Sequence, residues 1–112
     1  MNSKSNRRYS IKEYIELSGI SPFRKWLNSL DLTIKAKIQA RIFRAELGNL
    51  GDYKSIGSRL YELRLNFGPG YRIYFSFYFG NSIILLNSGN KANQSKDIEK
   101  AKEYFKNFLM SQ

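Results

Sequence analysis

The chain has 112 residues, 42% of them hydrophobic and 15% aromatic, which suits one packed domain of residues 1–112 and argues against disorder, collagen or coiled coil. Lys and Arg number 19 against 9 Asp and Glu, a formal charge of +10 that draws polyanions, nucleic acid or an acidic protein first among them. There is no Cys and no His, so disulfides, thiolate zinc sites, cysteine nucleophiles and Ser-His-Asp arrangements are excluded, and no metal or cofactor is expected.

Residues 1–7 are polar and basic and are expected to fray; Met1–Arg8 does not read as a signal peptide. No run of about 18 apolar residues occurs, so no membrane span is expected and the chain reads as cytoplasmic. From Tyr9 to Leu17 the near-alternation of Tyr9, Ile11, Ile15 and Leu17 predicts a strand with one buried face. Ser21-Pro22 predicts an N-cap with proline at the first helical position, opening a short helix through Trp26 and Leu27. Asp31 caps a second predicted helix to about Leu47. There Ile34, Ile38 and Ile42 form one apolar row and Ala36, Ala40, Phe43 and Leu47 another, suited to the sheet on one side and a neighbouring helix or partner on the other.

Gly48-Asn49-Leu50-Gly51-Asp52 ends that helix in a turn. Three strands are predicted next: Leu60–Asn66, Tyr71–Phe79 beyond the Gly68-Pro69-Gly70 turn, and the continuously apolar Ile83–Leu86, which reads as a central strand covered on both faces. Asp97–Leu109 predicts a closing amphipathic helix with Ile98, Ala101, Phe105 and Phe108 on one side. Phe105, Phe108 and Leu109 either pack under the sheet or belong to a partner interface, with the core as the favoured reading. The expected order is β-α-α-β-β-β-α, an α+β fold with a small, mainly antiparallel sheet.

The hairpin makes a mechanical statement. Both strands flanking Gly68-Pro69-Gly70 keep apolar residues at odd positions, and both sets must face one core. Pairing is therefore odd with odd, and the connection has three or five residues. Glu62, Arg64, Arg72, Tyr74 and Ser76 then share the other face, with Arg64 opposite Arg72. Opposed like charges cost about 0.2–1 kcal/mol when exposed. Either Glu62 neutralises one of them on an ordinary solvated face, or the paired guanidiniums beside Tyr74 bind phosphate and stack on bases. Lys54 before the hairpin and Lys91 after the last strand border the same surface.

Gly48-Asn49-Leu50-Gly51-Asp52-Tyr53-Lys54, Tyr61-Glu62-Leu63-Arg64 and Gly68-Pro69-Gly70-Tyr71-Arg72-Ile73-Tyr74-Phe75 resemble the phage-derived addiction-module killer proteins, a HigB-like branch of the RelE/ParE toxin superfamily. Ser88-Gly89-Asn90-Lys91 with Gln94 and Asp97-Ile98 resembles that branch's element before the last helix, and Phe23 with Trp26-Leu27 its opening helix. The likeness runs from about Ile20 to Lys102. It implies helices packed on one side of a twisted sheet, and a toxin neutralised by an antitoxin, a helix-turn-helix protein from the adjacent gene. RelE-like members cleave mRNA in the ribosome, which makes ribosome and mRNA the expected partners.

Carried over by position, the resemblance implies catalytic roles for Arg64, Arg72, Lys91 and Lys54. Glu62 is the candidate base and Lys91 or Lys54 the acid, while Tyr71, Tyr74, Arg59 and Gln94 are candidates for RNA contact. Glu62 stands where the best-known RelE-like toxins are basic, and Ile98 where some members carry a tyrosine. Two other readings stay open: a ParE-type inhibitor of DNA gyrase without nuclease activity, and a non-catalytic nucleic-acid-binding domain.

Overall fold

The computed structural model describes residues 7–112. The expected fraying of residues 1–7 falls almost wholly on 1–6, which lie outside the described residues; Arg7 stands 3.8 Å from Glu46. Strand β1 (Ser10–Glu13) is followed by α1 (Pro22–Asn28) and α2 (Leu32–Glu46). Then come β2 (Tyr53–Gly57), β3 (Leu60–Leu65), β4 (Tyr71–Tyr78) and β5 (Ser82–Asn90). A 3-10 turn (Lys91–Asn93) leads into α3 (Gln94–Met110). The five strands form one sheet in the order β1-β5-β4-β3-β2, antiparallel except for β1 beside β5. The fold is α+β, as the sequence predicts.

Local chemistry explains the helix starts. Ser21 accepts a hydrogen bond from the Arg24 amide and Pro22 fills the first turn of α1, while Asp31 accepts one from the Ile34 amide to open α2. The first strand is shorter than expected. Beyond Glu13 a turn closed by the Glu16 amide on Ile20 O, with Gly19 at φ 89°, leads the chain away and leaves Ile15 and Leu17 exposed.

The order has one strand more than the sequence predicts. β2 is short, exposed and without alternation; pairing with β3 makes it a strand. Its two-residue link to β3, Ser58-Arg59, has both residues at positive φ. Such links usually carry Asn or Gly, so this one has no turn signal to read.

Odd-numbered Leu63, Leu65, Ile73, Phe75, Ile83 and Leu85 bury themselves under α1 and α2, against Phe23, Leu27, Ile38 and Ala45. Each such large apolar side chain contributes about 1.5–3 kcal/mol by leaving water. The Ile34-Ile38-Ile42 row of α2 faces this core. The second row faces outward, with Phe43 and Leu47 exposed.

The expectation of helices on one face holds for α1 and α2 and requires correction for α3. That helix crosses the other face, packing Ala101 and Phe105 on Leu60, Tyr74, Ile84 and Leu86, with Ile98 and Phe108 at the margin. Phe105 is thus core, while Leu109 is exposed. β5 is buried on both sides, as its continuous apolar run predicts. A β-bulge between the Tyr74–Asn87 and Phe75–Leu85 pairs puts Leu86 and Asn87 successively toward α3. α3 covers only part of the face. The hairpin end of β3 and β4 stays outside its apolar footprint, and there the even-numbered charged residues gather.

Candidate functional site

The connection between β3 and β4 has five residues, Asn66–Gly70, and the register places Arg64 directly opposite Arg72. Two rows cross the sheet on the α3 side: Lys54, Glu62, Tyr74 and Asn87 in one, and Arg64, Arg72 and Gly89 in the next. Neighbouring strands lie about 4.8 Å apart, so two guanidiniums face each other with a carboxylate and a lysine one row behind.

Glu62 is wholly buried and resolves the repulsion. Its Oε1 accepts a hydrogen bond from Arg64 Nε at 3.1 Å and lies 3.7 Å from Arg72 Nε. Its Oε2 accepts a hydrogen bond from Gln94 Nε2 at the start of α3. Oε1 is thus held by the Arg64 hydrogen bond and the Arg72 ion pair and Oε2 by Gln94 of α3, while Arg72 Nε is buried without a hydrogen-bond partner of its own. A general base must reach the proton it removes, and Glu62 presents no accessible oxygen; its geometry is that of a clamp that aims the arginines.

The two arginines differ in exposure. The Arg64 side chain is 28% exposed and that of Arg72 only 9%. Arg72 Nη1 also donates to Tyr71 O at 3.1 Å. Lys91 joins them because its amide donates to Gly70 O at 2.8 Å. A Cβ on Gly70, which sits at φ 79°, would lie 3.4 Å from Lys91 Cβ and 3.6 Å from Arg72 Nη1. Lys54 is exposed on the edge strand, directly across from Glu62. Arg64, Arg72, Lys91 and Lys54 therefore converge on one corner around buried Glu62.

The candidates for RNA contact separate. Gln94 belongs to the corner, but its amide is held by Glu62. Arg59 sits at the far end of β3, its guanidinium 5.3 Å from the Phe105 ring centre. Tyr71 turns to the opposite face, 5.9 Å from Trp26 and 5.4 Å from Phe67 between ring centres. Tyr74 requires correction: α3 buries it completely, so its ring offers no platform for a base. An alternating strand marks which face a residue is on, whereas only the docking of α3 decides whether that face meets water.

The Tyr74 hydroxyl lies beside Glu62 without a well-formed hydrogen bond. Burial above all, then the negative charges of Glu62 and Asp97, push its pKa above the ordinary 10.0, with Arg72 opposing. The folded state therefore favours the neutral phenol: stability is complete below pH 10.0 and falls as pH rises beyond it. Tyr74→Phe should change stability at neutral pH by less than about 1 kcal/mol and should lose less stability than wild type above pH 10.0. Urea denaturation at both pH values checks this; parallel alkaline losses would refute it.

Arg41 of α2 is a supporting residue that no pattern in the sequence discloses. Its Nη1 donates to Arg64 O at 2.8 Å and its Nη2 to Leu50 O and Asp52 O, both at 3.0 Å. It ties the helix to the strand that carries Arg64. On the other side Asp97 seats its carboxyl against Gly89, where a Cβ would overlap it, so the Asp97 side chain holds this place only because Gly89 has no side chain. Burial raises the Asp97 pKa, opposed by Lys96. Among the described residues, no three Asp or Glu side chains come together as a metal site would need, and no helix is long and apolar enough to cross a membrane.

A small α+β sheet presenting a basic corner built on a hairpin defines the class, and comparison with known sequences defines the family. Residues 25–106 match the family described as phage derived protein Gp49-like (DUF891), and the chain belongs to it. It is 45% identical over 89 residues to an uncharacterized protein of Haemophilus influenzae, an alignment covering 79% of this chain and 90% of that protein. The phage-derived character implied by the sequence motifs agrees with this match.

Proposed function

We propose that the protein is the toxin of a type II toxin–antitoxin module, of the HigB-like branch of the RelE/ParE superfamily. In this reading it acts in the cytoplasm as a ribosome-dependent mRNA endoribonuclease. The observation that carries it is the Arg64–Arg72 pair aimed by buried Glu62 at a corner flanked by Lys54 and Lys91. Membership of the phage-derived Gp49-like family supports it.

In the reaction the ribose 2′-oxygen attacks phosphorus, the bond to the leaving 5′-oxygen breaks, and a 2′,3′-cyclic phosphate forms. The 2′-hydroxyl must lose a proton, the 5′-oxygen must gain one, and charge builds on the equatorial phosphate oxygens. Arg64 forks onto those oxygens and Arg72 adds fixed positive charge behind it. Lys54 and Lys91 are the accessible side chains with transferable protons at the corner. Glu62, sealed in, positions the arginines and leaves proton transfer to the lysines and to the ribosome, which orients the message. The antitoxin, a helix-turn-helix protein from the adjacent gene, covers the basic corner with an acidic segment.

Inducing the chain in cells tests this reading. Amino-acid incorporation should fall within minutes, with new 2′,3′-cyclic ends inside ribosome-occupied message. Continued translation alongside DNA breaks and an SOS response would replace the nuclease by a gyrase inhibitor.

A further inference from the structure

The lysines of the corner can give the leaving 5′-oxygen its proton, but an ammonium has no lone pair with which to take one. Glu62 is sealed. The 2′-hydroxyl still needs an acceptor, and the first turn of α3 supplies a carboxylate in the right place.

The row Arg64, Arg72, Gly89 crosses three strands on the α3 side. A Cβ on Gly89 would overlap Asp97 Oδ2, so the Asp97 carboxyl rests on that glycine and occupies the third place in the row. Lys91 follows two residues later. The Asp97 side chain is half-buried, with its oxygens in reach of water. Among the described residues the carboxyl forms no ion pair and accepts no hydrogen bond. What ties α3 to β5 here is the Asp97 backbone carbonyl, which accepts from Asn87 Nδ2 at 3.0 Å. The charged and titratable groups around the carboxyl are Lys96 beside it, Tyr74 one row behind and Arg72 across from Gly89. Burial strengthens its hold on a proton relative to an ordinary carboxylate, against the pull of Lys96.

A first-turn carboxylate can favour a helix dipole, but an outward one does so without a glycine for a seat. A negative charge beside a phosphate site also costs affinity for RNA. The other carboxylate near the pair, Asp52, is held by Asn66 Nδ2 at 3.0 Å and acts on Arg41. We propose that Asp97 is the general base of the corner, taking the proton of the ribose 2′-hydroxyl while Arg64 and Arg72 hold the phosphate. As that proton moves to the carboxylate, the O2′–P bond forms and the P–O5′ bond breaks. O5′ takes a proton from Lys91 or Lys54, and exchange with water resets both groups. The inference rests on the ribonuclease reading.

The test is single-turnover cleavage of ribosome-bound message by the full chain, at the position where wild type cuts. Asp97→Asn should slow it by about 100-fold or more. It should keep the wild-type denaturation midpoint and wild-type binding to ribosomes whose message is methylated at that 2′-oxygen. Gly89→Ala, which pushes the carboxyl off its seat, should slow cleavage by about 100-fold as well, and the double variant should lose no more than Asp97→Asn alone. Asp52→Asn should cut as wild type does. Message with sulfur in place of the leaving 5′-oxygen needs no acid, and Asp97→Asn should remain slow on it. Wild type should cut that message at a level rate between about pH 7 and 9, because a carboxylate is ionised throughout, whereas a lysine base would make the rate climb. This last measurement stands whether or not the variants fold.

Fast cleavage by Asp97→Asn, its rescue by the sulfur leaving group, or a rate that climbs across that pH range would overturn the assignment. So would a lowered midpoint with a matching loss of binding, which would leave Asp97 a purely structural residue. If wild type leaves the message intact, the ribonuclease reading falls and Asp97 with it. If wild type cuts and Arg64→Ala is slow while Asp97→Asn is fast, only the role of Asp97 fails.

Discussion

Glu62→Ala is expected to destabilise the protein by about 3–5 kcal/mol, because it leaves buried positive charge without its partner. The carboxylate is fully buried and is the anion for both Arg64 and Arg72. Without it Arg72, only 9% exposed, has no counter-charge and Gln94 loses its acceptor. The α3 start should then loosen, since Gln94 joins it to the sheet at this point. Glu62→Gln retains the shape and one acceptor, and should cost about 1–3 kcal/mol. Urea denaturation of the three proteins measures both changes. A base would behave differently: Glu62→Gln would abolish cleavage while leaving stability near wild type, and that result would reverse the role given to Glu62 here.

Arg64→Ala is expected to reduce cleavage by about 100- to 1,000-fold, about 3–4 kcal/mol of transition-state stabilisation, with only a small loss of stability. Arg64 is the more exposed of the pair, so its removal strands no buried charge, and Glu62 keeps Arg72. Arg72→Ala should damage both properties, because that side chain is buried between Glu62 and Tyr71 O. Arg64→Lys should recover little activity, since a single ammonium lacks the planar fork that grips two phosphate oxygens. Under the proposed reading, message cleavage on inducing each variant, read beside denaturation midpoints, separates the two arginines. Full growth arrest by either alanine variant would remove the pair from the chemistry.

Much of this corner was legible beforehand because it follows from a period of two. Apolar residues at odd positions on both sides of Gly68-Pro69-Gly70 require odd-with-odd pairing, and the five-residue connection and the Arg64–Arg72 opposition obey that rule. Helix starts were equally legible, since a serine or aspartate bonding an amide three residues ahead is a local event. β2 was not, because a short exposed edge strand exists only through its partner β3. The burial of Tyr74 was not legible for a related reason: alternation names its face correctly, while its burial depends on Ala101 and Phe105 arriving from α3. The bulge in β5 added a local reversal that turns Asn87 and Gly89 toward the same helix.

By itself, then, the order of residues determined the α+β class, the helix caps, and two arginines side by side on a strongly basic chain lacking His and Cys. The tertiary structure alone decided what surrounds them: that Glu62 is sealed between both guanidiniums and Gln94, that Tyr74 lies beneath α3, and that Arg41 ties α2 to the backbone of Arg64. The physical reason is range. Caps and strand parity are settled within a few residues, whereas burial and ion pairing depend on segments such as Gln94, 32 residues beyond Glu62, being brought into contact by the packing of the whole chain.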